Sequence, residues 1–351
     1  MPTMLLRRRT DPGAGADAIA SIAERLAVLL AAGVPASSAW RHVSADGEPS
    51  ADAEPSTEAL GAALAPAPPG GPRRAAGSVA EAASDDQLVL AAAAEAASQG
   101  EAVAAAIAAA REAHPGASSA WPVLAAAWSV AAESGAPLAA SLRSLAVVLR
   151  DEAQLRRDVG AALAGPAASA RLVTALPLIA LGFGATLGFD TVGVLVGNPI
   201  GIACLVLGAL LLWAGASWNR RLARAASVSQ TDAGLELELL AIAMSSGASV
   251  ERARRLTRET VRIHVPHSDD GRAVDAVVAL AARAGAPVAE LLRAESFRVR
   301  RAARSAGAAR AAALGVRLML PLGLCVLPAF VLLGVAPLMI SVVTGTLGGA
   351  S

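Results

Sequence analysis

Three uncharged apolar blocks interrupt a chain that is otherwise amphipathic. Leu172–Phe189 and Pro199–Trp218 contain no charged residue and are separated by the short break Asp190–Asn198. At about 1.5 Å per residue, each run would be roughly 27–30 Å long as a helix, which matches a hydrocarbon core. Asn198 and Pro199 suit a helix start, with Asn as cap and Pro in the first turn, where its missing N–H costs nothing. Trp213 and Trp218 lie near the exit, where amphipathic rings favour the headgroup region, and Asn219-Arg220-Arg221 ends the run. The third block, Leu318–Val343, is also long enough to span. Its Pro321, Pro328 and Pro337 predict kinks that neighbouring membrane helices can support.

Outside these blocks the apolar spacing is helical. Ile19, Ile22, Leu26, Leu29 and Leu30 share one helix face, and Gly33-Val34-Pro35 ends that helix before a shorter one at Ala36–Val43. Ser84–Ser98, Glu101–Glu112, Trp121–Ser134 and Pro137–Arg157 read as further helices, the last with the stripe Leu138, Leu142, Leu145, Val148 and Leu149. Beyond the hairpin, Leu235–Ser245, Val250–His264, Ala273–Ala284 and Val288–Ala313 read as four more. Residues 44–77 lack periodicity and are rich in Ala, Pro, Gly, Ser and Glu, which predicts a disordered insertion. The predicted fold class is an all-α membrane protein. It has two related cytoplasmic helical bundles, residues 1–170 and 219–313, a transmembrane hairpin at 171–218, a third span at 314–343 and a short external tail at 344–351.

Composition strengthens the membrane reading. The chain has 351 residues, is 55% hydrophobic and has a mean hydropathy of +0.53, with the apolar excess confined to the three blocks. Every basic side chain other than His is Arg, which excludes a phosphate-binding loop of the Walker type and a Schiff-base lysine. Arg171, Arg220, Arg221, Arg310 and Arg317 flank the apolar blocks, whereas Asp190–Asn198 and the tail carry no basic residue. The positive-inside rule therefore puts the N-terminus and both soluble blocks in the cytoplasm and the C-terminus outside. No apolar segment follows Arg7, Arg8 and Arg9, so no signal peptide is expected. Cys204 and Cys325 lie in apolar blocks and read as packing residues.

The two soluble blocks resemble each other. Glu133-Ser-Gly-Ala-Pro-Leu-Ala-Ala-Ser-Leu-Arg143 aligns with Arg283-Ala-Gly-Ala-Pro-Val-Ala-Glu-Leu-Leu-Arg293, and a weaker match pairs the turns at Gly33 and Gly247. A helix stop at Gly135 or Gly285, followed by Pro137 or Pro287 opening the next helix, explains the shared pattern. Duplication of a bundle plus a span fits both matches.

No catalytic constellation emerges. His264 and His267 flank Pro266 without a carboxylate or thiol cluster, and neither H-E-x-x-H nor G-x-S-x-G occurs. Glu133, Asp151, Glu152, Glu236 and Glu238 read as solvated helix faces. No charge interrupts an apolar block, which argues against a transport pathway, and no basic–aromatic interleaving indicates nucleic acid. Neither a cofactor nor a metal is expected.

The order of these parts resembles the type II secretion system F family, inner-membrane platform proteins of secretion and type IV pilus machines, and within it the tight-adherence (Tad/Flp) pilus platforms. Three stretches carry the resemblance: Leu30-Ala-Ala-Gly-Val-Pro35, Gly197-Asn-Pro-Ile-Gly201, and Leu320-Pro-Leu-Gly-Leu-Cys-Val-Leu-Pro328 with Ala336-Pro337. The insertion at 44–77 departs from it. The resemblance implies a non-enzymatic platform in the cell membrane that couples a secretion ATPase to pilin polymerisation. Its implied partners are that ATPase, a second platform subunit or a second copy of itself, prepilins and the bilayer. Candidate contact residues are Arg150, Arg156, Arg157, Arg293, Arg300, Arg301 and Arg304. A membrane-anchored scaffold unrelated to pili is the alternative.

Overall fold

The computed structural model describes residues 11–45, 73–162, 199–226, 233–265, 271–317 and 322–336, with isolated positions at 164, 179, 182, 186 and 339. Every regular element among them is helical. In chain order these are α1 (Ala14–Ala31), α2 (Ala36–Ala45), α3 (Arg73–Gln99), α4 (Val103–Ala113), α5 (Trp121–Ser134), α6 (Leu138–Ala162), α7 (Pro199–Ala226), α8 (Leu235–Met244), α9 (Val250–His264), α10 (Gly271–Ala284) and α11 (Val288–Arg317), followed by a kinked helical segment from Leu322 to Val335. The helices predicted for the two soluble blocks are present, several with shifted ends: the one read as Ser84–Ser98 runs Arg73–Gln99, and the one read as Pro137–Arg157 continues to Ala162. Ser44 and Ala45 finish α2, and Arg73–Gly77 already belong to α3, so the insertion is shorter than its composition implied. Its centre, 46–72, lies outside the described residues, as do the loop 190–198, the tail and, apart from three isolated positions, the run Leu172–Phe189.

Residues 1–157 and 230–303 form one compact unit, so both predicted cytoplasmic blocks contribute to a shared body. Its centre is α5. Trp121, Val123, Leu124, Ala125, Ala126, Ala127, Trp128, Val130 and Ala131 are buried around its whole circumference. A helix that is apolar all round must be enclosed, and α4, α8 and α9 pack against this one. Around it, the stripes read from the sequence face inward. Ile19 and Leu26 of α1 are fully buried, as are Leu142, Leu145 and Leu149 of α6. Burying a side chain of this size contributes about 1.5–3 kcal/mol. Trp40 of α2 meets Trp128 edge-on, with ring centroids 5.3 Å apart, an arrangement favoured by the ring quadrupoles. Asp86 of α3 accepts hydrogen bonds from Trp121 Nε1 (2.8 Å) and from the Ser118 N–H (2.6 Å), which pins the entry to α5.

The turns explain the internal likeness. At Gly135 and Gly285, both with positive φ, the following N–H closes back over the helix end: Ala136 to the Ala131 carbonyl (3.0 Å) and Ala286 to the Ala281 carbonyl (3.2 Å). The carbonyls of Pro137 and Pro287 then accept the first bonds of α6 and α11, from Ser141 and Leu291. Gly33 and Gly247 also share a geometry, donating to Leu30 and Met244 at 3.1 Å. Pro35 and Ser249 next open α2 and α9 in matching positions, their carbonyls bound by Ala39 and Ala253. Ser249 adds a side-chain cap on Arg252 N–H.

The second compact unit comprises residues 158–229 and 304–351. Within it, Gly201–Trp218 of α7 is long and apolar enough to cross a membrane, and only 17% of it is buried in the protein. Gly201, Gly208 and Gly215 are its buried positions, seven residues apart, on the side where α7 packs against the kinked segment. A Cβ on Gly208 would sit 2.5 Å from Leu333 Cγ, so the helices meet through the missing side chain. Ile202, Val206, Leu210 and Trp213 point away from the protein. In the third apolar block, π-helical turns at Leu322–Val326 and Val331–Val335 flank a single α-turn, Leu327–Phe330, that holds Pro328. A proline lacks the N–H of the normal ladder and clashes with the carbonyl four residues back, and the wider turn relieves that clash. Around Pro328 the helical ladder is irregular in this way, while Pro321 and Pro337 lie outside the described residues.

Candidate functional site

The arginines expected to form a contact surface divide into two groups. Arg150 is paired with Glu24 of α1. Arg156 pairs with Glu152 at 2.9 Å, and Arg157 lies 3.5 and 3.6 Å from Asp11 and Asp17. Arg293 pairs with Glu290 on the next turn at 2.6 Å. The Arg156 and Arg293 pairs lie within single helices, whereas the Arg150 and Arg157 pairs reach from α6 to α1 and the residues before it; the solvent-screened ones contribute within about 1 kcal/mol each. Arg301 is exposed on α11, one turn beyond the exposed Phe297, and Arg304 is half-buried. The turn residues Gly33, Gly135, Pro137, Gly247, Gly285 and Pro287 all occupy the turns expected of them.

Arg300 belongs to a different environment. Its side chain is 18% exposed and its Nη1 lies 3.2 Å from Oε2 of Glu238. Glu238 itself is 2% exposed, and Glu236 is also buried. Reading these two glutamates as a solvated face is therefore wrong. The signal that would have found them is the rest of α8: the other eight residues of Leu235–Met244 are apolar, so the helix has no polar face on which to expose a carboxylate. Glu238 is satisfied from two directions. Ser144 of α6 donates to Oε1, while Ser296 (2.7 Å) and Arg300 of α11 donate to Oε2. A carboxylate offers about four acceptor positions, and three are filled here. Arg300 Nε is buried without a hydrogen-bond partner among the described residues. Gly234, with positive φ, brings the start of α8 against α11, and a Cβ there would lie 2.9 Å from the Ser296 carbonyl oxygen. That close approach lets Glu238, one turn later, reach Ser296 and Arg300.

Near the end of α9, His264 is half-buried. Desolvation holds its imidazole below the ordinary value of 6.5, and the charge of Glu133 opposes this. On α11, the hydrogen bond from Arg298 holds the Glu295 carboxyl below its ordinary range. Among the described residues, no group of three or more His, Cys, Asp or Glu side chains could hold a metal ion.

The described residues thus combine a helical body that holds a buried ionic node with one helix long and apolar enough to cross a membrane. Residues 72–185 match the family model of Type II secretion system (T2SS), protein F, and on that segment the chain is similar to type II secretion system F family proteins. The family consists of inner-membrane platform proteins of secretion and pilus assembly rather than enzymes. The matched segment runs from α3 through α6 and into the first apolar block. No curated protein and no solved structure is matched by the chain.

Proposed function

We propose that this chain is the membrane platform of a type IV-like pilus of the Tad/Flp kind, or of a type II pseudopilus, and that it couples a cytoplasmic secretion ATPase to pilin polymerisation. The family match over residues 72–185 carries this reading. The membrane-length helix at Gly201–Trp218 supports it, as do the arginines flanking the apolar blocks, which favour cytoplasmic placement of α1–α6 and α8–α11. The chain spans the membrane three times, with its C-terminus outside. Its partners are the ATPase, prepilins and a second platform subunit or a second copy. Arg301 with Phe297, an exposed cation beside an exposed aromatic, is the favoured ATPase contact on α11, because aromatic residues and Arg are enriched at protein interfaces.

Purification of the tagged full chain from detergent-solubilised host membranes tests this. Recovery of the secretion ATPase and prepilins encoded by the same host is expected, and R301E is expected to lose the ATPase while the protein remains in the membrane at normal amount. Recovery of neither, with another stable partner in their place, overturns the platform reading in favour of an unrelated membrane scaffold.

A further inference from the structure

Much of the unit built from residues 1–157 and 230–303 is packed through alanine. Ala125, Ala126 and Ala127 of α5 and Ala241 and Ala243 of α8 are buried there. Apolar packing, through these alanines and through the larger Leu142, Leu145, Leu149 and Leu239 alike, is non-directional. Glu238 supplies the direction that such a core lacks. It reaches α6 through one oxygen, by way of Ser144, and α11 through the other, by way of Ser296 and Arg300 on successive turns. A rotation of α11 by one residue, or a slide by one turn, would withdraw both donors together and leave a buried carboxylate and a buried guanidinium unpaired. The node is therefore all-or-none, and directional polar contacts of this kind are best attested as setters of register. In sequence, α6 precedes the first apolar block and α11 the third.

We infer that Glu238 is a register lock, a positioning residue that makes α6, α8 and α11 respond as one body. The significance of the lock for assembly rests on the platform reading, but the lock itself does not. Amide hydrogen exchange on the detergent-solubilised full chain tests it. S144A alters only α6, yet it is expected to speed exchange several-fold around Ser296–Arg300 of α11 as well as around residue 144, with α2–α4 unchanged. S144T, which keeps the hydroxyl, is expected to restore protection on both helices. S144A and S296A together are expected to have a non-additive effect. E238Q keeps the shape but loses the ion pair, and should loosen both helices further; if it fails to fold, the serine variants carry the test. An S144A effect confined to α6, or strict additivity of the two serine variants, overturns the lock. In a host where deleting this chain abolishes surface pilin, E238Q present at wild-type amount should also abolish it, and normal assembly by E238Q overturns the role of the lock in assembly. If deletion itself changes nothing, the platform reading fails, and the exchange result still decides whether the lock exists.

Discussion

Two buried tryptophans show how much depends on a single donor. Trp121 Nε1 is bound by Asp86, whereas Trp40 Nε1 is buried and finds no partner among the described residues. Replacing Trp40 by Phe keeps an edge-on aromatic against Trp128 and removes an uncompensated N–H, so W40F should destabilise less than W121F, which strips Asp86 of a donor. D86A should cost the most of the three, because it strands the Trp121 and Ser118 N–H groups, at about 1–3 kcal/mol for each unsatisfied group. Thermal unfolding in detergent would order the three variants, and W40F proving the worst would refute the argument. His264 gives a pH dependence. Burial holds its folded-state value below 6.5, so as pH falls the unfolded chain takes up the proton first. Its contribution to stability is complete above about 6.5 and is lost as pH falls towards the folded value. A melting series from about pH 7.5 down to about pH 5 should show this slope, and H264Q should flatten it. An unchanged slope in H264Q would assign the dependence to other groups.

Among the elements, helix positions were legible and helix environments were not. Trp121–Ser134 and Val250–His264 can be read to the residue, because Gly135 and Ser249 mark their ends. Which face each helix buries is written only where large apolar residues alternate with polar ones, as in α1 and α6. In α5 and α8 nearly every position is apolar, and the glutamates of α8 look like a polar face until the enclosure of the whole helix is seen. The seam of α7 is hidden for a related reason, since Gly208 belongs to a run in which every residue suits lipid. Its partner Leu333 makes the contact testable. G208V should push α7 away from the kinked segment and lower the melting temperature in detergent, and adding L333A should recover part of that loss by clearing the space where the new side chain points. A G208V melting point equal to wild type would mean that α7 can shift at no cost.

At the scale of the molecule, the repeat in the sequence points to two separate bundles, and the turns at Gly135 and Gly285 do share one geometry. The repeat does not say which helices cover which. That depends on α5, whose apolar circumference cannot be enclosed by helices of the first block alone and is completed by α8 and α9 of the second. Polar links run the same way, from Ser144 in the first block to Glu238 in the second. A fragment ending near residue 162 would leave the α8- and α9-facing sides of the apolar α5 uncovered. Hydrophobic surface on that scale drives association in water. The fragment 1–162 alone should therefore aggregate or melt without a cooperative transition, and so should 230–303 alone. Mixed or co-expressed, the two should form a one-to-one complex that unfolds in a single transition. A monomeric, cooperatively folded 1–162 fragment would mean that the first block completes its own core, and that its packing against α8 and α9 is an interface between finished domains rather than part of one hydrophobic core.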